Sequence, residues 1–409
     1  MQLVEVSTPA HAREFLEFPP RVIYAHDPNY IRPLDQDVNA VFDPAKNKLL
    51  RNGECQRWLL LNHAGQTIGR VAAFINREAA FPAEPEPSAP DSADQAPASS
   101  TKGIFRKMGG MGFFECIDDQ AAANVLLDAC RDWLAARGIE GMDGPINFGD
   151  RDKWWGVLTQ NFGSPIYGAS YNPAYYEPLL RTYGFQTFYK QVTYSRSVAG
   201  ELHPSIMKRA ERIAHDPRYE FRHMRRREWR KYAADFRDVY NKAWVKHGVK
   251  PMSEEASVKI MKSMLGILDE KLVWFGYYDK QPISFFISLP EINEVLRRFN
   301  GKLGWWQKIQ FKYHQLRKTV KTMFGVVFGV VPEHQRKGVE AAMVYESALV
   351  IQKPGGLPYT HTVLNWIGDF NPKMMSVVEL LGATPWREHH TLRYYFDRTR
   401  PFERHPVID

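Results

Sequence analysis

Hydrophobic and polar positions fall into two similar successions of strand and helix. In the first half, β-prone apolar runs at 67–76 (TIGRVAAFIN) and 111–117 (MGFFECI) predict neighbouring strands. Between them, residues 81–102 (FPAEPEPSAPDSADQAPASSTK) are too poor in apolar side chains to order themselves, which predicts a disordered surface insertion. Ala122, Val125, Leu126, Ala129, Trp133 and Leu134 then recur at helical spacing and predict a helix over 120–137 that Gly138 ends. Extended structure follows at 141–148, a helix at 173–183 and a strand at 187–195.

The second half repeats this order. Helices are expected at 229–245 and 254–270, and strands at 272–278 and 282–289. A long insertion covers 290–322. Next come a strand at 323–331, a turn, a helix at 339–351, a strand at 360–366, a helix from Pro372 and a last strand at 392–397. Asn172-Pro173 and Asn371-Pro372 each open a helical stretch that closes near a glycine (Gly184, Gly382) and leads into an aromatic strand. One such pair is generic, whereas two at near-equal spacing point to duplication. The expected class is α/β (α+β), with tandem domains over 1–197 and 198–409, each a mixed, mostly antiparallel sheet flanked by helices.

Composition adds constraints. A net charge of +8 favours acidic partners such as a phosphate-bearing cofactor or an anionic membrane face. Cys55, Cys116 and Cys130 have neither metal-like nor disulfide spacing and suit a reducing compartment. The apolar run at 323–331 is far shorter than a membrane span, so a cytoplasmic protein is expected, at most peripheral on the inner membrane face. Met108–Gly112 (MGGMG) is glycine-rich, but Glu115 stands where a dinucleotide fingerprint needs its third glycine, so it reads as a loop. No P-loop, zinc-protease or nucleophile-elbow motif is present, the histidines are scattered apart from His389-His390 on an expected strand edge, and no metal is expected.

The chemistry concentrates in 328–342 (FGVVPEHQRKGVEAA), where an apolar strand enters a turn and then a helix. Consecutive backbone N–H groups and a helix N-terminus meet there, a geometry that holds a pyrophosphate. Gly338 allows close backbone approach, and Arg336 and Lys337 add positive charge. An ordinary strand-to-helix turn is the plain alternative.

This segment resembles the acyl-CoA loop of the GNAT N-acyltransferase superfamily, Gln/Arg-x-x-Gly-x-Gly/Ala after the fourth strand. Gln335 and Gly338 match, and Glu340 stands where a small residue is expected. A narrower resemblance spans nearly the whole chain through Phe15–Pro19, Tyr24, Pro33-Leu34, Gly69-Arg70, Gly112-Phe113-Phe114-Glu115, Gly144–Phe148 and Tyr171-Asn172-Pro173 with Tyr176. These runs look like a tandem GNAT-like family that includes bacterial ceramide synthases, in which the loop's small residue is often acidic. The resemblance implies acyl-CoA as co-substrate, bound by Val330, Val331, Gln335, Arg336, Lys337, Gly338, Val339 and Asn371. It further implies a degenerate first domain that shapes the substrate groove, and direct attack of a neutral amine, such as that of a sphingoid base, on the thioester. The superfamily's usual tyrosine acid is replaced by Val378. Candidates for the base are Glu291, His361 and Asp369, with plain readings as a surface charge, a strand residue and a helix cap.

Residues 297–321 combine Arg297, Arg298, Lys302, Lys308, Lys312, Arg317, Lys318 and Lys321 with Trp305, Trp306, Ile309, Phe311 and Tyr313, without an acidic residue. A helix here with cationic and aromatic faces suits an anionic membrane surface, unless the aromatic side packs inward. A second basic cluster lies at 222–231, but no nucleic-acid motif accompanies either, which disfavours nucleic acid as a partner. The alternatives to lipid N-acylation are N-acetylation of a small-molecule or protein amine, aminoacyl-tRNA-dependent transfer, and non-catalytic acyl-CoA or lipid binding. The run at 150–155 (DRDKWW) reads equally as the lining of a polar-headgroup site or as a solvated loop.

Overall fold

The computed structural model describes residues 1–82, 105–149, 151, 153–244 and 251–408. From residue 83 onward the expected disordered insertion lies outside the described residues. The first half supplies β1 (Gln2–Glu5), α1 (Pro9–Phe18), α2 (Asp35–Val41), β2 (Gly53–Leu61), β3 (Thr67–Asn76), α3 (Arg77–Ala80), β4 (Met108–Cys116), α4 (Gln120–Ala135), β5 (Gly141–Gly144), β6 (Val157–Gln160), α5 (Tyr176–Tyr183) and β7 (Gln186–Ser197). The second half supplies α6 (Pro204–Ala214), β8 (Tyr219–His223), α7 (Trp229–Trp244), α8 (Glu254–Met264), β9 (Val273–Tyr278), β10 (Gln281–Pro290), α9 (Asn293–Leu296), α10 (Trp305–Leu316), β11 (Thr322–Val330), α11 (Val339–Ile351), β12 (His361–Gly368), α12 (Pro372–Leu380) and β13 (Thr384–Tyr395).

Among the described residues these strands form one sheet in the order β1-β2-β3-β4-β5-β13-β7-β12-β11-β10-β9-β8, with β6 beside β13. The final strands of the two halves are exchanged. β13, from the C-terminal end, pairs with β5, and β7 pairs with β12. The exchange is locked where Arg393 of β13 clamps Asp143 of β5 through two hydrogen bonds of 2.6 and 2.8 Å, both side chains buried. A bidentate pair of this kind satisfies both charges, whereas removing one partner would strand the other.

Pairing is antiparallel except at β4–β5 and β11–β12. Both parallel pairs are short: the first ends at Gly110↔Asp143 and the second at Gly325↔Leu364, although β4 continues to Cys116 and β11 to Val330. Each half therefore contains a cleft where the two strands part. Each fourth strand also carries a β-bulge beside that cleft. Ile287 faces Val327 while Ser288 faces Gly325, which leaves Val326 as the extra residue of β11. On β4 the register slips between Glu115 and Gly112, where Phe113 adopts φ 50°.

The expected mixed, mostly antiparallel architecture is present, with corrections at particular segments. Met108–Gly112 is not a loop but the start of β4, and its glycines answer to packing. A Cβ on Gly109 would come within 2.5 Å of Leu134, and one on Gly112 within 1.8 Å of the Ile146 carbonyl. The last strand begins at Thr384 rather than 392, so His389 and His390 lie buried within β13 rather than on an edge. Asn371 caps α12, but its counterpart Asn172 bonds the backbone of Leu158 instead, and α5 starts only at Tyr176.

Candidate functional site

β11 delivers the chain to a loop whose backbone is shaped for an anion. Val330, Val331 and Val339 are buried and anchor it on both sides. The Gln335 side-chain amide folds back to donate to the Val330 carbonyl at 3.0 Å. Arg336 and Gly338 are left-handed, with φ 61° and 99°. Gly338 is the N-cap of α11, and no side chain caps that helix, so its first-turn N–H groups remain available. Arg336 and Lys337 are exposed beside them, and Glu340 is half-buried in the first turn. A Cβ on Gly338 would meet the Arg209 carbonyl of α6 at 3.1 Å, so α6 sets how tightly the loop is packed.

The equivalent place in the first half has the opposite character. The N-terminus of α4 is closed by Asp119, whose carboxylate accepts the N–H groups of Ala121 and Ala122 at 2.7 and 3.1 Å, with Asp118 alongside. That helix end carries its own anion and repels another. Of the two helices that follow the fourth strands, α4 is capped by a carboxylate and α11 by no side chain.

From the loop, β11 leads back to its bulge at Val326 and the opening beside β12. A small cavity there is lined by Phe324, Asn365 and Trp366 from the second half, and by Trp155, Thr193 and His389. His389 was not singled out as a site residue in the sequence. Burial pushes its imidazole down to about 4, so it is neutral at pH 7. Its Nε2 lies 3.0 Å from the Ser170 carbonyl, which can only accept, so Nε2 carries the proton and Nδ1 is left as an acceptor.

The cavity's other wall is a strap from the first half, residues 161–171, tied down by second-half side chains. Arg387 donates to the carbonyls of Asn161, Gly163 and Ser164 at 3.0, 2.9 and 3.1 Å. The Asn293 amide donates to the Pro165 carbonyl at 2.9 Å.

Glu291 is another second-half anchor of this strap. Its Oε1 accepts the N–H groups of Tyr167 and Asn293 at 2.9 and 2.8 Å, and it is 4% exposed, so it is no surface charge. Burial raises its carboxyl to about 8, while the two N–H donors pull the other way. It follows the end of β10 and pairs with Thr322, roughly 13 Å of strand from the Val326 bulge. His361 is exposed at the start of β12, with Nδ1 3.0 Å from the Thr360 hydroxyl. Asp369 accepts the Lys190 N–H at 3.1 Å and bonds Arg404, while the cap of α12 is Asn371, which accepts from Met374 at 3.2 Å. The three base candidates thus occupy separate places. Val378 is buried among Tyr194, Ile367 and Ala383.

The first half's cleft holds a larger cavity. It is lined by Tyr30, Arg70, Phe113, Glu115, Trp154 and Tyr171 among others, and it shares the 167–170 stretch of the strap with the second-half cavity. Glu115 of β4 accepts the hydroxyls of Tyr24 and Tyr176, each at 2.8 Å. The second half has no equivalent cluster: Val326 stands at its fourth-strand bulge and Val378 on α12. Glu115, Tyr24 and Tyr176 each stand in runs that carry the family resemblance, but nothing along the sequence joins them into one cluster.

On the outer surface, α10 turns its aromatic side to solvent. Trp305, Trp306, Ile309, Tyr313 and Leu316 are 73%, 54%, 51%, 58% and 72% exposed. At 3.6 residues per turn they share an arc of about 100°. Lys308 and Lys312 flank that arc, while Phe311 faces inward onto a cluster containing Leu34, Val295, Leu296 and Phe299. Among the described residues no helix is long and apolar enough to cross a membrane.

No family model matches the chain. It is 25% identical over 395 residues to the bacterial ceramide synthase of Caulobacter vibrioides, covering 95% of this chain and 96% of that one. It is 23% identical over 393 residues to protein YghO of Escherichia coli, covering 92% and 91%. Among solved structures, a tandem GNAT protein from the clavulanic acid biosynthesis pathway superposes with a TM-score of 0.51 at 9% identity, covering 98% of this chain and 99% of that one. A GCN5-related glucosamine N-acetyltransferase region of a fungal β-N-acetylglucosaminidase gives the same TM-score at 10% identity, where the match spans 96% of this chain and 38% of the larger protein. Along its whole length the chain is a distant homologue of bacterial ceramide synthase, built on the tandem GNAT fold.

Proposed function

We propose that the protein is an acyl-CoA-dependent N-acyltransferase that acylates a lipid-like primary amine, with a sphingoid base as the acceptor class. The observation that carries the donor half of this reading is the uncapped N-terminus of α11, reached through a left-handed loop with Arg336 and Lys337 beside it. The residues fit an acyl-CoA pyrophosphate: uncapped backbone N–H groups stand beside two exposed cations in sequence, and Gly338 lets the backbone come close. The extra residue at Val326 leaves backbone polar groups of β11 outside the ladder, next to the cleft. Its N–H is suited to hold a thioester carbonyl oxygen and the negative charge that grows there as an amine attacks. Neutral His389, which lines that cleft with Nδ1 as an acceptor, is suited to accept a hydrogen bond from the attacking amine. The first unit, 1–197, supplies the strap and the second cavity, and the unit 198–409 supplies the donor loop.

The lipid character of the acceptor is supported by the relative's name and by α10. Lysines beside an outward aromatic arc match an anionic bilayer surface, where the indoles sit at headgroup level. Vesicles of phosphatidylglycerol and phosphatidylcholine are expected to sediment the protein, and Trp305→Ala with Trp306→Ala to reduce the bound fraction about tenfold. Equal sedimentation of the double variant would remove α10 from this role.

The test of function is thiol release. The purified protein, given acyl-CoAs of graded chain length and sphinganine, is expected to release CoA thiol only when both are present. Acyl-CoA binding without turnover on any amine would favour the non-catalytic alternative.

A further inference from the structure

We propose that the cavity between β4 and β5 in the first half binds the ammonium head of a long-chain primary amine. The inference rests on the acyl-transfer reading for its purpose, but its geometry stands alone. Glu115 and Arg70 line the cavity and are 9% and 7% exposed. The two Glu115 oxygens are unequally used. Oε2 accepts both tyrosine hydroxyls at 2.8 Å, while Oε1 has only Arg70 at 3.3 Å, longer than the roughly 2.8 Å of a good charge-assisted bond. Oε1 is thus the oxygen with acceptor capacity left for an incoming N–H donor.

The Nη groups of Arg70 are committed, although its buried Nε has no hydrogen-bond partner. Arg70 also donates to the Phe15 carbonyl, and its guanidinium lies 4.7 Å from the Phe15 ring centroid. Tyr30, Tyr171, Phe113 and Trp154 also line the cavity, beside Arg32 and Asp37. Tyr24 and Tyr30 stack with centroids 4.0 Å apart, and Tyr171 leans on both at 5.8 and 6.2 Å. Phe113 and Trp154 face each other at 5.8 Å. Aromatic faces around a buried carboxylate are the surroundings that attract a primary ammonium.

The chain of such an amine also meets an apolar wall. Leu34 and Leu296 line the same cavity and belong to the cluster that receives Phe311 from beneath α10. One apolar wall therefore runs from the Glu115 site towards the helix that offers its aromatic arc to a membrane. The strap residues 167–170 are the partition between this cavity and the second-half cleft. A head bound here is separated from the second-half cleft by that stretch.

Calorimetric titration of the full chain with dodecylamine, dodecanol and dodecanoate, each below its micellar concentration, tests this. Dodecylamine is expected to bind at least tenfold more tightly than the other two. Glu115→Gln should lose at least tenfold in dodecylamine affinity, and Tyr30→Leu, a half-buried wall residue, several-fold, with acyl-CoA affinity unchanged in both. If Glu115→Gln fails to fold, Tyr30→Leu alone decides. Equal binding of the alcohol or the carboxylate, or unchanged amine affinity in the folded variants, would overturn the proposal. Failure of acyl-CoA to bind at all would instead count against the acyltransferase reading and leave the amine titration readable.

Discussion

Reversing both charges of the donor loop, Arg336→Glu with Lys337→Glu, is expected to weaken acyl-CoA binding on the order of a hundredfold. Each cation contributes about 1 kcal/mol towards a phosphate at an exposed helix end, and each reversal replaces attraction with repulsion. Folding should be little affected, because both side chains are exposed and take no part in the anchoring by Val330, Val331 and Val339. The loss should shrink as salt is raised, since exposed charges are screened. Gly338→Ala acts by a different route. It puts a Cβ at φ 99° and 3.1 Å from the Arg209 carbonyl, so the loop or α6 must shift. Calorimetry with acyl-CoA at two salt concentrations separates the effects: the double charge reversal should be salt-sensitive, and the glycine variant much less so.

Glu291 should govern how stability responds to pH. Its carboxyl ionises near 8 in the folded chain and near its ordinary value of 4.5 when unfolded. The folded state therefore holds a proton that the unfolded chain releases. That advantage is complete below the unfolded value and fades as pH rises through about 8. Glu291→Gln keeps an oxygen for the Tyr167 and Asn293 N–H groups, so it should flatten this decline and raise the melting temperature at alkaline pH. Glu291→Ala leaves both N–H groups without an acceptor, at about 1–3 kcal/mol each, and should lower the melting temperature at every pH. Thermal melts of the three proteins from acid to alkaline pH check this. Thiol release adds a second readout. If Glu291 were the base, Glu291→Gln would abolish turnover, whereas an anchor of the strap leaves most of it.

What could be read along the chain is what is local. The helical spacing of Ala122, Leu126 and Leu134 places α4, and the apolar runs place β3, β9, β10 and β11, because each buries side chains in a repeating pattern of its own. The turn at Gln335–Gly338 is likewise contained in a few consecutive residues. The start of β13 is different. Its Arg387, His389 and His390 are polar yet buried, satisfied by a strap more than two hundred residues earlier, by Ser170 and by Glu388, so hydropathy hides the strand. The Glu115 cluster joins α4's preceding strand to Tyr24 and Tyr176 across 91 and 61 positions, and the burial of Glu291 depends on Tyr167, 124 positions away. The exchange of β7 and β13 has no signature in either strand, since strand pairing is made by backbone groups that both supply alike. For α10 the composition announced a basic aromatic helix, and only the fold decided that its aromatic side faces out.

The central claim is that the two halves have divided the work, with the donor held only where α11 is uncapped and excluded where Asp119 closes α4. Titration of the wild-type chain with acyl-CoA tests this most directly. One molecule should bind per wild-type chain, and on the order of a hundredfold more weakly to the Arg336→Glu, Lys337→Glu variant. Two sites per chain, or a single site whose affinity the double charge reversal leaves unchanged, would contradict this division.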